Sequence, residues 1–349
     1  MSFHYFLKLI LIGLLTSFLF FIIDNIWLNS LSVLNISYGP ILSPLYVFTF
    51  VRIIFFLTGL IYQLGLSLKR SKPLVKFYSW SLLIPNFILL IFGLYGFYLE
   101  PLRISVNQLE LSVKNLDKPV RIVQLSDLHI EKITPREKTV IPLVDELDPE
   151  LIVITGDFVN LTGKDDTDTI NDLREFISNL HAPLGLYAVN GNYESTKRLK
   201  IMLEGVDIQI LDNEVKKIYI PDTELALLGL SFEEWYGDEE SFLKLAENVN
   251  PEHMNVLLYH TPNLVYLARD FGINLYLSGH THCGQVRLPF YGAIITNTKY
   301  GKAFDMGKYQ VGDMIMYVNC GLGFAGGIAP HIRFLAPPEI TVIDLIPEK

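Results

Sequence analysis

Cysteine is nearly missing from this chain: its 349 residues hold two, Cys283 and Cys320. Two thiols exclude a disulfide-rich scaffold and a zinc cluster built on several thiolates. No alanine precedes Ala182, so the start of the chain, Lys8 followed by apolar Leu9–Ile23, lacks the small-residue cleavage site of a secretory signal peptide. Excess positive charge is missing as well. The chain carries 28 Lys and Arg against 37 Asp and Glu, a formal net charge of -9, which argues against a large phosphate-binding basic surface and so against nucleic acid as a substrate. There is no internal repeat, no low-complexity tract and no long run of like charge, which sets repeat architectures aside.

What is present divides near residue 100. Residues 1–100 are dominated by Leu, Ile and Phe, and residues 101–349 have the charged, glycine and turn content of an ordinary globular domain. Three apolar stretches in the first part, about 6–28, 45–66 and 77–98, reach the ~20 residues that span a bilayer as a helix. The expectation is a three-helix transmembrane anchor. Asp24 and Arg52 fall in or near the first two stretches, where an isolated charge is costly; they either pair with each other or snorkel separately to the interface. Lys69, Arg70, Lys72 and Lys76 follow the second stretch, whereas residues 29–44 contain neither Lys nor Arg. The positive-inside rule then predicts a multi-pass protein of a bacterial inner membrane, with everything after Glu100 on the outer side.

Beyond residue 104, short Val-, Ile- and Leu-rich runs alternate with longer amphipathic stretches, the pattern of an α/β domain. Strands are expected at Arg121–Leu125, Leu151–Thr155, Gly185–Val189, Asn255–Tyr259 and Asn274–Leu277. A polar cluster closes each: Ser126-Asp127-Leu128-His129, Gly156-Asp157, Gly191-Asn192-Tyr193-Glu194, Tyr259-His260-Thr261 and Gly279-His280-Thr281-His282. Ligands of layered α/β folds bind at the carboxyl ends of strands, so these clusters can meet along one edge. Singly, an Asp after a strand is an ordinary helix cap and a His an ordinary satisfied residue. The Asp-x-His and His-x-His spacings say more, because an extended segment points residues i and i+2 to the same side, where two ligands face one ion.

In their order and strand-end placement these clusters resemble the calcineurin-like metallophosphoesterases, whose signature runs D-x-H, G-D, G-N-H, H and G-H-x-H. The resemblance covers about residues 120 to 345. It includes the run from Gly279 to Pro289 and the tail Arg333-Phe334-Leu335-Ala336-Pro337-Pro338-Glu339-Ile340, which point to a membrane-associated bacterial branch that includes UDP-2,3-diacylglucosamine diphosphatases. The resemblance implies an αββα sandwich and two divalent metal ions, manganese, iron or zinc. One ion falls to Asp127, His129, Asp157 and His282, and the other to Asp157, Asn192, His260 and His280. Asp157 then bridges the pair, which activates water for in-line attack on phosphorus.

One position departs from the family pattern: Tyr193 stands where G-N-H has its histidine. A phenol with an ordinary pKa near 10 donates a hydrogen bond but does not titrate near neutrality, so alkyl monoesters, whose leaving group needs a proton, are expected to react more slowly than anhydrides or aryl esters. His331, in the loop that starts at Gly326, either supplies the missing imidazole or faces solvent. Arg333 either binds substrate phosphate as a bidentate donor or packs on the sheet. Cys283, where relatives usually have glycine, is a metal-binding thiolate, a small buried filler or a disulfide partner of Cys320.

The expected activity is dimetal hydrolysis of a phosphate ester or anhydride at the membrane. A lipid-linked or amphiphilic phosphate is the expected substrate, UDP-2,3-diacylglucosamine among the candidates. That substrate is made in the cytoplasm, which conflicts with an outward catalytic part. The contrasting expectation is a catalytically impaired, metal-binding membrane scaffold or sensor, motivated by the loss of the G-N-H histidine.

Overall fold

The computed structural model describes residues 91–349 apart from 115, 117, 161–165, 221–222, 234–237, 326–330 and 349. Before residue 91 it describes only 11, 15, 18–23, 25–26 and 87–88. Two compact units separate. One comprises Met1–Leu99 with Ile328–His331, and the other Glu100–Gly327 with Ile332–Lys349.

The three expected membrane spans lie largely outside the described residues. Among the described residues no helix is long and apolar enough to cross a membrane. This overturns the expectation of a multi-pass inner-membrane protein with an outward catalytic part. Apolar content measures how greasy a stretch is, not how many uninterrupted α-turns it makes. The α-helical residues 91–94 pass into a π-turn at Tyr95–Leu99 and a 3-10 turn at Glu100–Leu102.

In the larger unit the strands, in chain order, are β1 (Ser105–Val113), β2 (Val120–Leu125), β3 (Leu151–Thr155), β4 (Leu186–Val189), β5 (Gln209–Ile210), β6 (Glu214–Ile220), β7 (Thr223–Gly229), β8 (Met254–Leu258), β9 (Leu275–Ser278), β10 (Arg287–Leu288), β11 (Gly292–Ala293), β12 (Gly307–Val311), β13 (Met314–Val318) and β14 (Glu339–Pro347). The helices are α1 (Pro135–Glu146), α2 (Thr167–Ser178), α3 (Thr196–Met202), α4 (Asp238–Ala246) and α5 (Val265–Asp270). Two mixed six-stranded sheets form, in the orders β1-β14-β2-β3-β4-β5 and β12-β13-β9-β8-β7-β6, and β10 pairs with β11 as a short hairpin. The five expected site-bearing strands all appear, within a residue or so of their expected bounds.

Their apolar runs are buried on both faces, as strands in the middle of a layered fold must be. In β3, Leu151 and Val153 point into the layer between the sheets, where they join Ile122, Val256, Leu258, Leu275 and Leu277. Ile152 and Ile154 point outward to Val140 and Val144 of α1 and Leu173, Phe176 and Ile177 of α2. On the second sheet Leu257 and Tyr276 face Phe242 of α4 and Val265 of α5. Helix, sheet, sheet and helix therefore stack as an αββα sandwich. The start of α1 is locally encoded: Thr134 and Glu137 form a reciprocal capping box around Pro135 at the first helical position.

β2, β3 and β4 run parallel in the first sheet, as do β8, β9 and β13 in the second. Their carboxyl ends therefore share one edge. Buried Gln124 links the sheets there, its amide donating to Thr155 Oγ1 (3.0 Å) and to the Ser278 carbonyl (3.0 Å).

Candidate metal centre

The loops after β2, β3, β4, β8 and β9 carry all seven expected ligands, and the side chains converge in two groups. Asp127, His129 and His282 form one, and Asp157, His260 and His280 the other, with the ligand atoms of each group within 4.8 Å of one another. His129 Nε2 faces His282 Nε2 at 3.2 Å, and His282 Nε2 lies 3.4 Å from Asp127 Oδ1. In the second group His260 Nε2 lies 3.1 Å from His280 Nδ1 and 3.1 Å from Asn192 Oδ1. Asp157 Oδ2 sits between the groups, 3.4 Å from His129 Nε2 and 3.2 Å from His260 Nε2.

These spacings fit a metal on chemical grounds. Nitrogen and oxygen ligands held about 2.0–2.2 Å from one ion are roughly 2.8–3.6 Å apart for tetrahedral or octahedral angles. The tautomers agree as well. His129 Nδ1 donates to Asn160 Oδ1 (2.6 Å) and His260 Nδ1 to the Thr155 carbonyl (2.7 Å), which leaves each Nε2 lone pair aimed inward. Lone pairs that face one another in this way are stabilised by a positive charge between them, a proton or a metal ion.

The pocket's electrostatics say the same. Burial disfavours the charged form of His260, but the Asp157 carboxylate outweighs it and pushes the pKa up to about 10. For Asp157 burial works against ionisation, yet His260 and His129 hold its pKa well below the usual carboxylate range. His280 is pushed down to about 3 by burial and by the neighbouring His260. Burial and His129 likewise keep His282 neutral. Positive charge is thus favoured between the two aspartates while the outer imidazoles stay neutral, and neutral imidazole is the ligand form.

The local conformation departs from the expected alternation. Asp127 (φ 47), His129 (φ 43), Asp157 (φ 55), His280 (φ 69) and His282 (φ 47) all adopt the left-handed region rather than an extended one. Asp127 and His129 still share a group, but His280 and His282 fall into different groups. A left-handed residue costs roughly 1–3 kcal/mol when it is not glycine, so five at one edge mark strain held by the surrounding fold. Gly279 makes the close approach possible, since a Cβ there would collide with Ser126 Oγ and Asp127 Oδ2.

The larger unit of the chain, with this fold and this edge, can be compared with known proteins. Residues 120–284 match the family model of the calcineurin-like phosphoesterases. A metallophosphoesterase of Bacillus subtilis, YkuE, is 34% identical over 269 residues, which cover 72% of this chain and 90% of that protein. The chain belongs to the calcineurin-like phosphoesterases. As a metallophosphoesterase it is a metal-dependent hydrolase of phosphoric esters or anhydrides, in a family that uses a dinuclear metal centre. Among other relatives of this metallophosphoesterase, Cj0846 of Campylobacter jejuni is 29% identical over 251 residues, 69% of this chain and 63% of that one. The UDP-2,3-diacylglucosamine pyrophosphatase LpxG of Chlamydia muridarum is 26% identical over 284 residues, 66% of this chain and 84% of that one.

The remaining expected site residues are placed differently. Tyr193 is 40% exposed; its N–H donates to Asp157 Oδ1 (3.1 Å) and its ring meets His129 edge-on at 4.8 Å. It therefore stands at the rim of the metallophosphoesterase site. A cavity of ≈ 430 Å³ beside it is lined by Asn192, Tyr193, Lys197, Asp212, Phe232 and Glu233, among others. His331 is buried and groups with the other compact unit.

Arg333 takes the second of its two expected roles, packed inside the fold. It is fully buried, and its guanidinium donates to the carbonyls of Cys320 (3.0 Å), Gly321 (2.9 Å), Gly323 (Nε, 3.2 Å), Ala336 (2.9 Å) and Pro337 (3.4 Å). All its N–H groups are spent on main chain, so none is left for substrate.

The sequence reading passed over Asn160 and, although Glu194 lies in one of the quoted clusters, gave that residue no role. Asn160 fixes the His129 tautomer, and Glu194 accepts the backbone N–H groups of Asp157 (3.0 Å), Phe158 (3.1 Å) and Gly191 (2.9 Å). Glu194 ties the Asp157 loop to the Asn192 loop. Burial and the nearby Asp157 push its carboxyl up to about 7. Their signal was an amide three residues after Asp157 and an acid two after Asn192, offsets that mean nothing until the loops are folded.

Proposed function

We propose that this chain hydrolyses a phosphoanhydride or activated phosphodiester carried by an amphiphilic molecule, using two divalent cations held by Asp127, His129, Asp157 and His282 and by Asp157, Asn192, His260 and His280. The observation that carries this reading is Asp157 Oδ2, within 3.4 Å of a histidine nitrogen of each group. Bound there, the cations supply Lewis-acid polarisation of the phosphoryl group. The chain itself holds the ligand lone pairs in place through Asn160, the Thr155 carbonyl and Glu194. Tyr193, whose ring meets His129 edge-on, would donate its phenol to the leaving oxygen, and the adjoining cavity would accommodate the leaving group. Residues 101–349 form the catalytic part.

An amphiphilic substrate is supported by the hairpin that follows His282. Leu288, Phe290, Tyr291, Ile294 and Ile295 are all exposed there, Phe290 completely. UDP-2,3-diacylglucosamine, the substrate in LpxG's name, has this character, with a diphosphate between a nucleoside and a lipid. The inert-scaffold reading rests on Tyr193 alone. Manganese-dependent release of nitrophenol from bis-p-nitrophenyl phosphate, lost in Asp157→Ala, supports the enzyme; a metal-loaded but inert wild type refutes it. Assay against lipid-linked diphosphates then defines the substrate.

A further inference from the structure

The bond between Cys283 and Cys320 joins two loops that carry different ligands, and neither sulfur takes part in the chemistry above. The two residues are 37 apart in sequence with Cα atoms 4.8 Å apart, and both are buried, packed with Ala336. Cys283 directly follows His282 and sits at φ 54, so the chain turns through strained backbone as it leaves the ligand. On the other side, Cys320 begins a loop laid along the β2 ligands. The Leu322 N–H donates to the Ser126 carbonyl (2.9 Å) and the Gly323 N–H to the Asp127 carbonyl (2.7 Å). Gly321 lies so close that a Cβ would come within 2.6 Å of Asp127 Cβ. Arg333 holds the same loop through the carbonyls of Cys320, Gly321 and Gly323.

Both ends of the cross-link therefore lead to one group of ligands, His282 on one side and Asp127 with His129 on the other. The second group draws only His280 from the joined loops; Asp157, Asn192 and His260 are held by Glu194, β4 and β8. We propose that the Cys283–Cys320 disulfide is a positioning cross-link for the Asp127–His129–His282 metal site, and that its reduction weakens that site selectively. This rests on the dimetal reading. A strained, left-handed His282 keeps its place because the next residue is bonded to the opposite loop; without the bond, the backbone from His282 to Gln285 relaxes away from Asp127. Reduction by a water-soluble phosphine is balanced: the S–S bond breaks, two S–H bonds form with hydrogens from water, and the phosphine takes the oxygen.

The test uses the full chain, with thiols counted and bound manganese measured before and after phosphine treatment. The oxidised protein should show no reactive thiol and two manganese ions per chain. The reduced protein should show two thiols and keep one ion at its original affinity, with the other at least tenfold weaker, and reoxidation should restore both. Cys320→Ala, which removes the bond but keeps the residue at position 283, should match the reduced wild type; if it does not fold, the reduction and reoxidation cycle decides alone. Unchanged binding of both ions after reduction, or loss of both together, overturns the proposal. An oxidised protein that binds neither manganese, iron nor zinc defeats the dimetal reading itself, so the two failures are distinct.

Discussion

Replacing Arg333 with methionine separates a phosphate-binding arginine from a structural one. The guanidinium satisfies five main-chain carbonyls between Cys320 and Pro337 from a fully buried position. A buried acceptor left without its partner costs roughly 1–3 kcal/mol, but some carbonyls recover water or a second partner as the loop relaxes. The net loss is about 3–5 kcal/mol, the range for breaking a buried charged network. For a domain of this size each kcal/mol lowers Tm by roughly 2–4 °C, so Arg333→Met should melt about 6–20 °C below wild type. Lysine keeps the charge but offers three donors on a narrower head, so Arg333→Lys should fall between the two. The assay is thermal unfolding in excess chelator, which removes any contribution from bound metal. An unchanged Tm together with a raised KM for a phosphodiester would refute the reasoning and restore the arginine as a substrate donor.

Other outcomes are expected. Asp157→Asn should lose both cations and lower bis-p-nitrophenyl phosphate turnover by at least ~1000-fold, because the one shared carboxylate is gone; elemental analysis beside kinetics checks it. Tyr193→His should raise kcat for alkyl monoesters by about 10-fold or more while barely moving anhydride rates; equal effects on every leaving group would remove the proton-donor role. Glu194→Gln can satisfy at most two of the three N–H groups now bonded to its carboxylate, so metal affinity should fall about tenfold with a modest drop in Tm, measured by titration and melting. Away from the site, burial raises the Asp344 pKa, but hydrogen bonds from Arg121 and Gln108 outweigh it and hold the carboxyl low. A depressed folded-state pKa gives stability that is present above the unfolded value near ~4 and is lost as pH falls through the folded one. Asp344→Asn should therefore cost about 1 kcal/mol at neutral pH, discounted for the part-exposed Arg121, and nearly nothing below about pH 2; urea midpoints at both pH values test it.

Much of the site was legible because its ligands belong to local strings, each closing a strand whose apolar run announces it. Leu151–Thr155 followed by Gly156-Asp157 reads as strand, turn and acid without any tertiary knowledge. The pairing of ligands was not legible from spacing. Two residues apart predicts a shared face only in extended chain, and the left-handed backbone at His280 and His282 sends the two imidazoles to different groups. Arg333 stayed open between two readings for a related reason, since a guanidinium near a phosphate site looks the same in sequence whether its donors meet substrate or carbonyls. The apolar first hundred residues led to an expectation of three membrane spans, and among the described residues no helix is long and apolar enough to cross a membrane.

By itself the sequence determined the α/β alternation, the strand ends that bear polar clusters and the seven candidate ligands within them, all properties of short segments, while the αββα layering was implied by the family resemblance. Only the tertiary structure showed that Asn160 and Glu194 hold the two groups in place and that Cys283 meets Cys320, and it gave the ligand grouping, which the family resemblance had implied, its physical cause in the left-handed backbone. These depend on contacts between loops far apart in the chain, and no local preference encodes a distance across the gap between two sheets.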